Sequence, residues 1–212
     1  MEKGNTSSDS RSSRDIVLNA AIAEFSEFGL SGGRIDRIAQ RTNLNKQAIY
    51  YYFESKEALF TAALEYGYTQ FRIEPTNWDE CPSPIEALRD FIHAAFYAVQ
   101  IHQAHAALII EENRSGGRHI ASSFRETVNS TSVEIIGTLR EILERGQDQL
   151  LFSKDFTPEN LYLDVMSMSF FIFDHRYTVG EAIRRNLADA AWLEQRCAHV
   201  QRVILAALTE KK

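Results

Sequence analysis

The chain has 212 residues, 44% of them hydrophobic and 25% charged, the balance of an ordinary globular protein able to bury a core without metals or disulfides. Its formal net charge of −6 excludes a protein that coats nucleic acid by bulk charge. Its two cysteines, Cys81 and Cys197, exclude a disulfide framework, lack the spacing of a redox or metal pair, and fit a reducing cytoplasm.

Residues 1–13 are polar and Ser-rich, without the apolar segment of a secretory signal, and are expected to form a disordered arm. Arg11, and Arg14 just beyond it, could touch a DNA backbone. No later run is long and apolar enough for a membrane span. From there the apolar residues recur with the period of a helix, and no useful strand alternation occurs. A first helix is expected over 14–28, with Val17, Ala21, Phe25 and Phe28 on one stripe, Ser12 or Ser13 as cap, and Gly29 as terminator. A second, over 34–41, buries Ile35, Ile38 and Ala39. Thr42-Asn43-Leu44 follows as a tight turn, because Asn tolerates a positive φ and Leu44 can plug the corner. A third helix covers 45–52 and a fourth 55–71. Longer segments follow at 84–100, 103–113, 118–147, 158–176 and 189–209, separated by Ser115-Gly116-Gly117, by residues 153–158 and by a less regular stretch over 177–188. The fold class is all-α, with about nine helices.

Charge is unevenly distributed. Residues 1–72 hold nine basic and nine acidic side chains, so the remainder carries the whole excess. Within 34–56, Arg34, Arg37, Arg41, Lys46 and Lys56 face only Asp36 and Glu54, a positive island suited to a polyanion. The same stretch has the shape of a helix-turn-helix. At about 100° per residue, Ile49 and Phe53 share a buried face of the third helix, while Gln47 and Tyr51 point away from it. Lys46 and Tyr50 line one flank, and Ala48 and Tyr52 the other. Small Ala48 permits close approach to a duplex. Phenols and ammonium groups reach phosphates, and Asn45, Lys46 and Gln47 at the N-terminal end can meet base edges.

Residues 20–64 resemble the DNA-binding domain of the TetR family of bacterial repressors. The resemblance is carried by Phe25 and Gly29, by Ile38-Ala39, by the run from Leu44 to Phe53, and by Ser55-Lys56-Glu57-Ala58-Leu59. It implies a three-helix DNA-binding unit over 14–54, a connecting helix over 55–72, and a ligand-binding and dimerising body over 73–212. It also implies that Tyr50, Tyr51, Tyr52 and Lys56 grip phosphates while Asn45, Lys46 and Gln47 read bases. Two positions depart from the family pattern. Gly32-Gly33-Arg34 replaces the usual hydroxyl residues before the second helix, with Arg34 as a charged substitute for the phosphate contact. Asn43 replaces the turn glycine.

In the body, residues 142–146 and 158–178 resemble a C-terminal subgroup that includes regulators of pyrimidine and nicotinate breakdown, and no ligand is inferred from that. The resemblance also places a dimer interface on the last two long helices. Leu161, Val165, Met168 and Ile172 on one, and Trp192, Val200, Val203, Ile204 and Leu208 on the other, spread over more than one stripe. Candidate cavity residues for a small-molecule effector are Phe91, His93, Phe96, Tyr97, His102, His105, Phe170, Phe171, Asp174 and His175, with Phe173 and Tyr177 beside them. His102 and His105, helped by Glu111 or Glu112, have the atom types of a metal site, but no third ligand is fixed by spacing, and neither a metal nor a cofactor is expected.

The expected function is a homodimeric, cytoplasmic regulator, on the nucleoid when bound, most simply a repressor that leaves a palindromic double-stranded operator when an effector binds. The alternative is an adapter of the same fold that recruits a protein partner without a small-molecule ligand. An enzyme is disfavoured, because no nucleophile elbow, phosphate-binding glycine loop or metal triad occurs.

Overall fold

The computed structural model describes residues 12–70, 73, 78–120 and 122–210. Arg11 with most of the arm, the Phe71-Arg72 boundary and Pro75 lie outside the described residues. Among those described there are nine helices and no strand: α1 (Ser13–Gly32), α2 (Ile35–Thr42), α3 (Lys46–Phe53), α4 (Lys56–Gln70), α5 (Pro84–Ile101), α6 (Gln103–Arg114), α7 (Ser122–Asp148), α8 (Pro158–Ile183) and α9 (Ala190–Thr209).

Ser12 caps α1, its hydroxyl accepting from the Asp15 N–H. Gly29 breaks the helix at φ 65°, ψ 177°, and one further turn runs to Gly32. A side chain at Gly29 would be strained by that φ, and its Cβ would lie 2.7 Å from Glu111 Oε1. Val17, Ala21 and Phe25 are buried as their spacing predicts. Phe28 is not: it lies at the surface under the Arg37 guanidinium, 4.0 Å from the ring centroid. The stripe turns outward there because the helix is about to end.

Two larger cores organise the chain. One joins α1 to α4 and takes in Leu108 of α6, with Phe25 and Phe60 edge-to-face at 5.4 Å near its centre. Burying each such ring contributes about 1.5–3 kcal/mol. The other joins α5, α7, α8 and α9. Helix α6 bridges them, because it packs on both α1 and α4 while a small cluster of Ala98, Val99, Ala106 and Phe173 ties it to α5 and α8.

Two helix ends differ from expectation. Helix α7 starts at Ser122, later than 118, because the loop before it is held by Glu112. That carboxylate accepts from the His119 N–H at 2.7 Å and the Ser115 hydroxyl at 3.1 Å, and meets His119 Nδ1 at 2.7 Å. Helix α8 continues through Tyr177 to Ile183, where residues 177–188 were expected to be irregular. Gly180 allows this: a Cβ there would sit 2.9 Å from the Arg185 carbonyl, so the chain turns back tightly and buries Leu187. Among the described residues no helix is long and apolar enough to cross a membrane. Cys197 is buried, which pushes its thiol up to about 11, and Cys81 is half-buried and free.

Glu24, which nothing in its local sequence marks out, is a fully buried carboxylate on α1. It accepts from the Arg34 backbone N–H at 2.8 Å and from Arg37 Nε at 2.6 Å, and Arg41 lies 3.8 Å away. Burial alone would raise this carboxyl. The Arg37 hydrogen bond, the Arg34 N–H and the charges of Arg37 and Arg41 together outweigh burial and hold it below its ordinary value. Its contribution is therefore present above the usual carboxylate range and lost as pH falls through the lowered value. Glu24→Gln is expected to cost about 1.5–3 kcal/mol at neutral pH, read by urea unfolding. The gap to the parent protein should close as pH drops below about 4; an unchanged gap at pH 3 counts against an ionised Glu24.

Candidate nucleic-acid interface

Helices α2 and α3 are set by local chemistry. Arg34 occupies the N-cap of α2 without a side-chain cap bond, and Glu24 of α1 accepts the N–H of Arg34 itself, the bond that the glutamate of a capping box would make. Asn43 ends α2 at φ 55°, ψ 31°, the left-handed conformation expected of it. The Thr42 hydroxyl donates back to the Ile38 carbonyl at 3.0 Å, and the Leu44 N–H donates to Ala39 at 3.2 Å. Leu44 is half-buried against the N-terminal core. Asn45 caps α3: its Oδ1 accepts from the Ala48 N–H at 2.8 Å. Its carbonyl oxygen thus holds the helix, and its amide nitrogen remains as a donor.

The two faces of α3 separate sharply. Ile49 is 1% exposed, and Phe53 is buried beneath it with the Arg14 guanidinium 5.0 Å from its ring. Tyr51 is 83% exposed, Tyr50 and Tyr52 are also exposed, and Gln47 and Lys46 lie beside them. Ala48 is half-buried. Tyr51 and Tyr52 meet edge-on at 5.4 Å, which props the outer ring in place.

The positive island is partly neutralised inside the fold. Arg37 and Arg41 pair with Glu24, and Arg41 also lies 3.6 Å from Glu27. Lys46 Nζ sits 2.6 Å from Asp36 Oδ1, and this hydrogen bond and charge hold the ammonium above its ordinary value. Among the described residues, Arg34 and Lys56 have no carboxylate within 4.0 Å. Lys56 Nζ lies 3.5 Å from the Ser31 carbonyl. These two cations are the ones open to an outside anion.

A cavity of about 500 Å³ opens in the body between α4, α6, α7 and α8, with Tyr68, Ile110, Asn113, Ile135, Tyr162 and Phe170 in its wall. Phe170 is the candidate cavity residue it contains. Phe91 and Phe96 fill the body's core, and Tyr97 packs at its edge. His93 is exposed beside Tyr97, and Phe171 and His175 stack at the surface at 4.5 Å. Asp174 pairs with Arg114 at 3.0 Å. His102 and His105 do stack on each other, at 5.8 Å, with His105 lowered by burial and then by His102. Glu111 instead accepts from the Leu30 N–H and Glu112 holds the loop before α7, so no metal cluster forms among the described residues. Aromatic spacing could not separate core from cavity, because both are apolar faces of the same helices.

Comparison with known proteins agrees with this geometry. Residues 17–63 match the model for bacterial regulatory proteins of the tetR family, and residues 84–204 match that for the tetracyclin repressor-like C-terminal domain. The HTH-type transcriptional repressor NicS of Pseudomonas putida is 34% identical over 185 residues, 85% of this chain and 86% of that protein. The HTH-type transcriptional regulator RutR of Escherichia coli K12 is 22% identical, covering 91% of this chain and 88% of its own. The TetR family regulator PfmR from Thermus thermophilus shares the fold with a TM-score of 0.69 at 22% identity, over 95% of this chain and 100% of that one.

Because Asp36 occupies Lys46, Asp36→Asn is expected to free that ammonium and remove a like charge from the phosphate path. Affinity for duplex DNA should rise by about ten-fold, measured by fluorescence anisotropy. An unchanged affinity would mean that Lys46 does not reach a base edge.

Proposed function

The chain belongs to the TetR family of bacterial regulators, with a DNA-binding helix-turn-helix at its N-terminus, and on that premise we propose that it is an effector-released repressor that binds a palindromic operator as a homodimer. The observation that carries this reading is the two-faced α3, which is anchored by Ile49 and Phe53 and presents three phenols outward. In this reading Tyr50, Tyr51, Tyr52, Arg34 and Lys56 hold phosphates. Gln47, the Asn45 amide nitrogen and Lys46 released from Asp36 face base edges, with Ala48 allowing close approach. The DNA-binding unit spans 14–54, helix α4 connects it to the body, and the body spans 73–212.

A dimer is supported by the outer face of α8. Leu163, Ser167, Phe171 and His175 recur every four residues, all exposed, with Leu163 and Ser167 also at the edge of the cavity, and Val203 of α9 is exposed as well. Leu161, Val165 and Ile172, expected to serve both core and partner, are spent on the protomer's own core. An isologous pairing of such faces gives the two-fold symmetry of a palindrome, with recognition helices about 34 Å apart.

The cavity supports a small-molecule effector over an adapter that recruits protein alone. The fold relative AibR was solved with isovaleryl coenzyme A and operator DNA, at 16% identity and a TM-score of 0.66. Helix α6 offers the route between sites. Ile109, Ile110 and Asn113 line the cavity, Leu108 lies in the N-terminal core, and Glu111 accepts from the Leu30 N–H at 3.3 Å where α1 breaks. An effector that fits only one position of α6 would shift the population of DNA-binding units.

The test is a gel shift against the chain's own upstream region, with and without candidate metabolites. Tyr51→Ala should leave stability within about 0.5 kcal/mol while weakening operator affinity roughly ten-fold. Phe171→Glu should yield monomers by analytical ultracentrifugation and lower operator affinity by about a hundred-fold. Intact dimers in that variant would remove α8 from the interface.

A further inference from the structure

Among the described residues the cavity wall carries no formal charge. Its polar groups are the phenols of Tyr68 and Tyr162, the hydroxyls of Thr131, Ser132 and Ser167, and the amide of Asn113. The Asn113 nitrogen donates to the Ile109 carbonyl at 3.0 Å, which leaves its oxygen as an acceptor. The rest of the lining is aliphatic, thioether or aromatic. At about 500 Å³ it falls within the range of small-molecule sites.

A carboxylate or phosphate entering this space would shed water and find no guanidinium or ammonium to replace it. The nearby field also opposes an anion. Burial pushes the Tyr68 phenol up, and Tyr162 and then the Glu112 carboxylate push it further. Burial alone pushes up Tyr162. A cation fares no better, because no carboxylate lines the wall and Glu112 is already engaged by His119 and Ser115. Phenols that stay protonated can donate as well as accept.

We propose that the cavity takes an uncharged ring compound with hydrogen-bonding groups on its edge, held between Tyr68 of α4 and Tyr162 of α8. The proposal rests on the effector reading above. It also assigns Tyr68 a second consequence: α4 runs directly into the N-terminal core through Leu59, Phe60, Ala63 and Leu64. A ligand bridging the two phenols therefore sets α4 against α8, the helix of the proposed dimer face.

The test uses the full-length protein and a matched pair of probes, 2-naphthamide and 2-naphthoate, by calorimetry and thermal shift at neutral pH. The amide should bind and raise Tm while the carboxylate does not. Thr131→Lys should reverse the preference, tightening carboxylate binding about ten-fold or more. Ser132→Lys, also in the wall, serves the same purpose if the first variant does not fold. Carboxylate binding to the parent protein as tight as the amide's, or no binding of either probe, overturns the proposal. Operator binding by the same preparation without probe is scored separately, and its loss would count against the regulator reading instead.

Discussion

The placement of the recognition helix depends on one buried carboxylate. Glu24 is fully enclosed on α1, and its hydrogen-bond and ion-pair partners among the described residues are the Arg34 N–H, Arg37 and Arg41 at and along α2. By accepting the Arg34 N–H, it ties the N-cap residue of α2 to α1. By binding Arg37, it fixes the rotation of that helix about its own axis. Since α3 follows after a turn of a few residues, the direction in which its phenols face is inherited from this contact. A buried charge is costly when left unpaired, so the geometry that bonds Glu24 Oε1 to the Arg34 N–H and Arg37, with Arg41 at 3.8 Å from Oε2, is strongly preferred over neighbouring ones. The same charge engages Arg37 and Arg41, which leaves Arg34 and Lys56 as the cations of the positive island over 34–56 without a carboxylate partner.

Ordering of this kind reaches the body through α6. One side of that helix lines the cavity, another contributes Leu108 to the N-terminal core, and its end carries two carboxylates with separate duties. Glu111 meets the break in α1 and Glu112 fastens the loop before α7. A small displacement of α6 must therefore be felt at Leu30 and at His119, whose ring rests against Phe60 at 5.2 Å. Close-packed interiors transmit such shifts rather than absorb them. The break at Gly29 is where the displacement can be taken up, because α1 is already interrupted there.

The sequence by itself determined the helical class, the nine segments, the left-handed Asn43 and the division of α3 into an apolar and a phenolic face. Each of these is local: periodicity, a tolerated positive φ and a run of three tyrosines are written in consecutive residues. The resemblance of residues 20–64 to the TetR family was legible for the same reason, as a short motif with fixed spacing.

Only the tertiary structure decided which groups meet across the chain. Glu24 looks like one more surface acid in its helix, and its burial depends on arginines ten to seventeen positions away. Lys46 looks free until α2 brings Asp36 beside it. Phe91 and Phe170 are equally apolar in sequence, yet one fills the core and the other lines a cavity. That difference comes from how four helices pack, and a void between helices has no sequence signature of its own: it is the volume that side chains from distant segments leave unfilled.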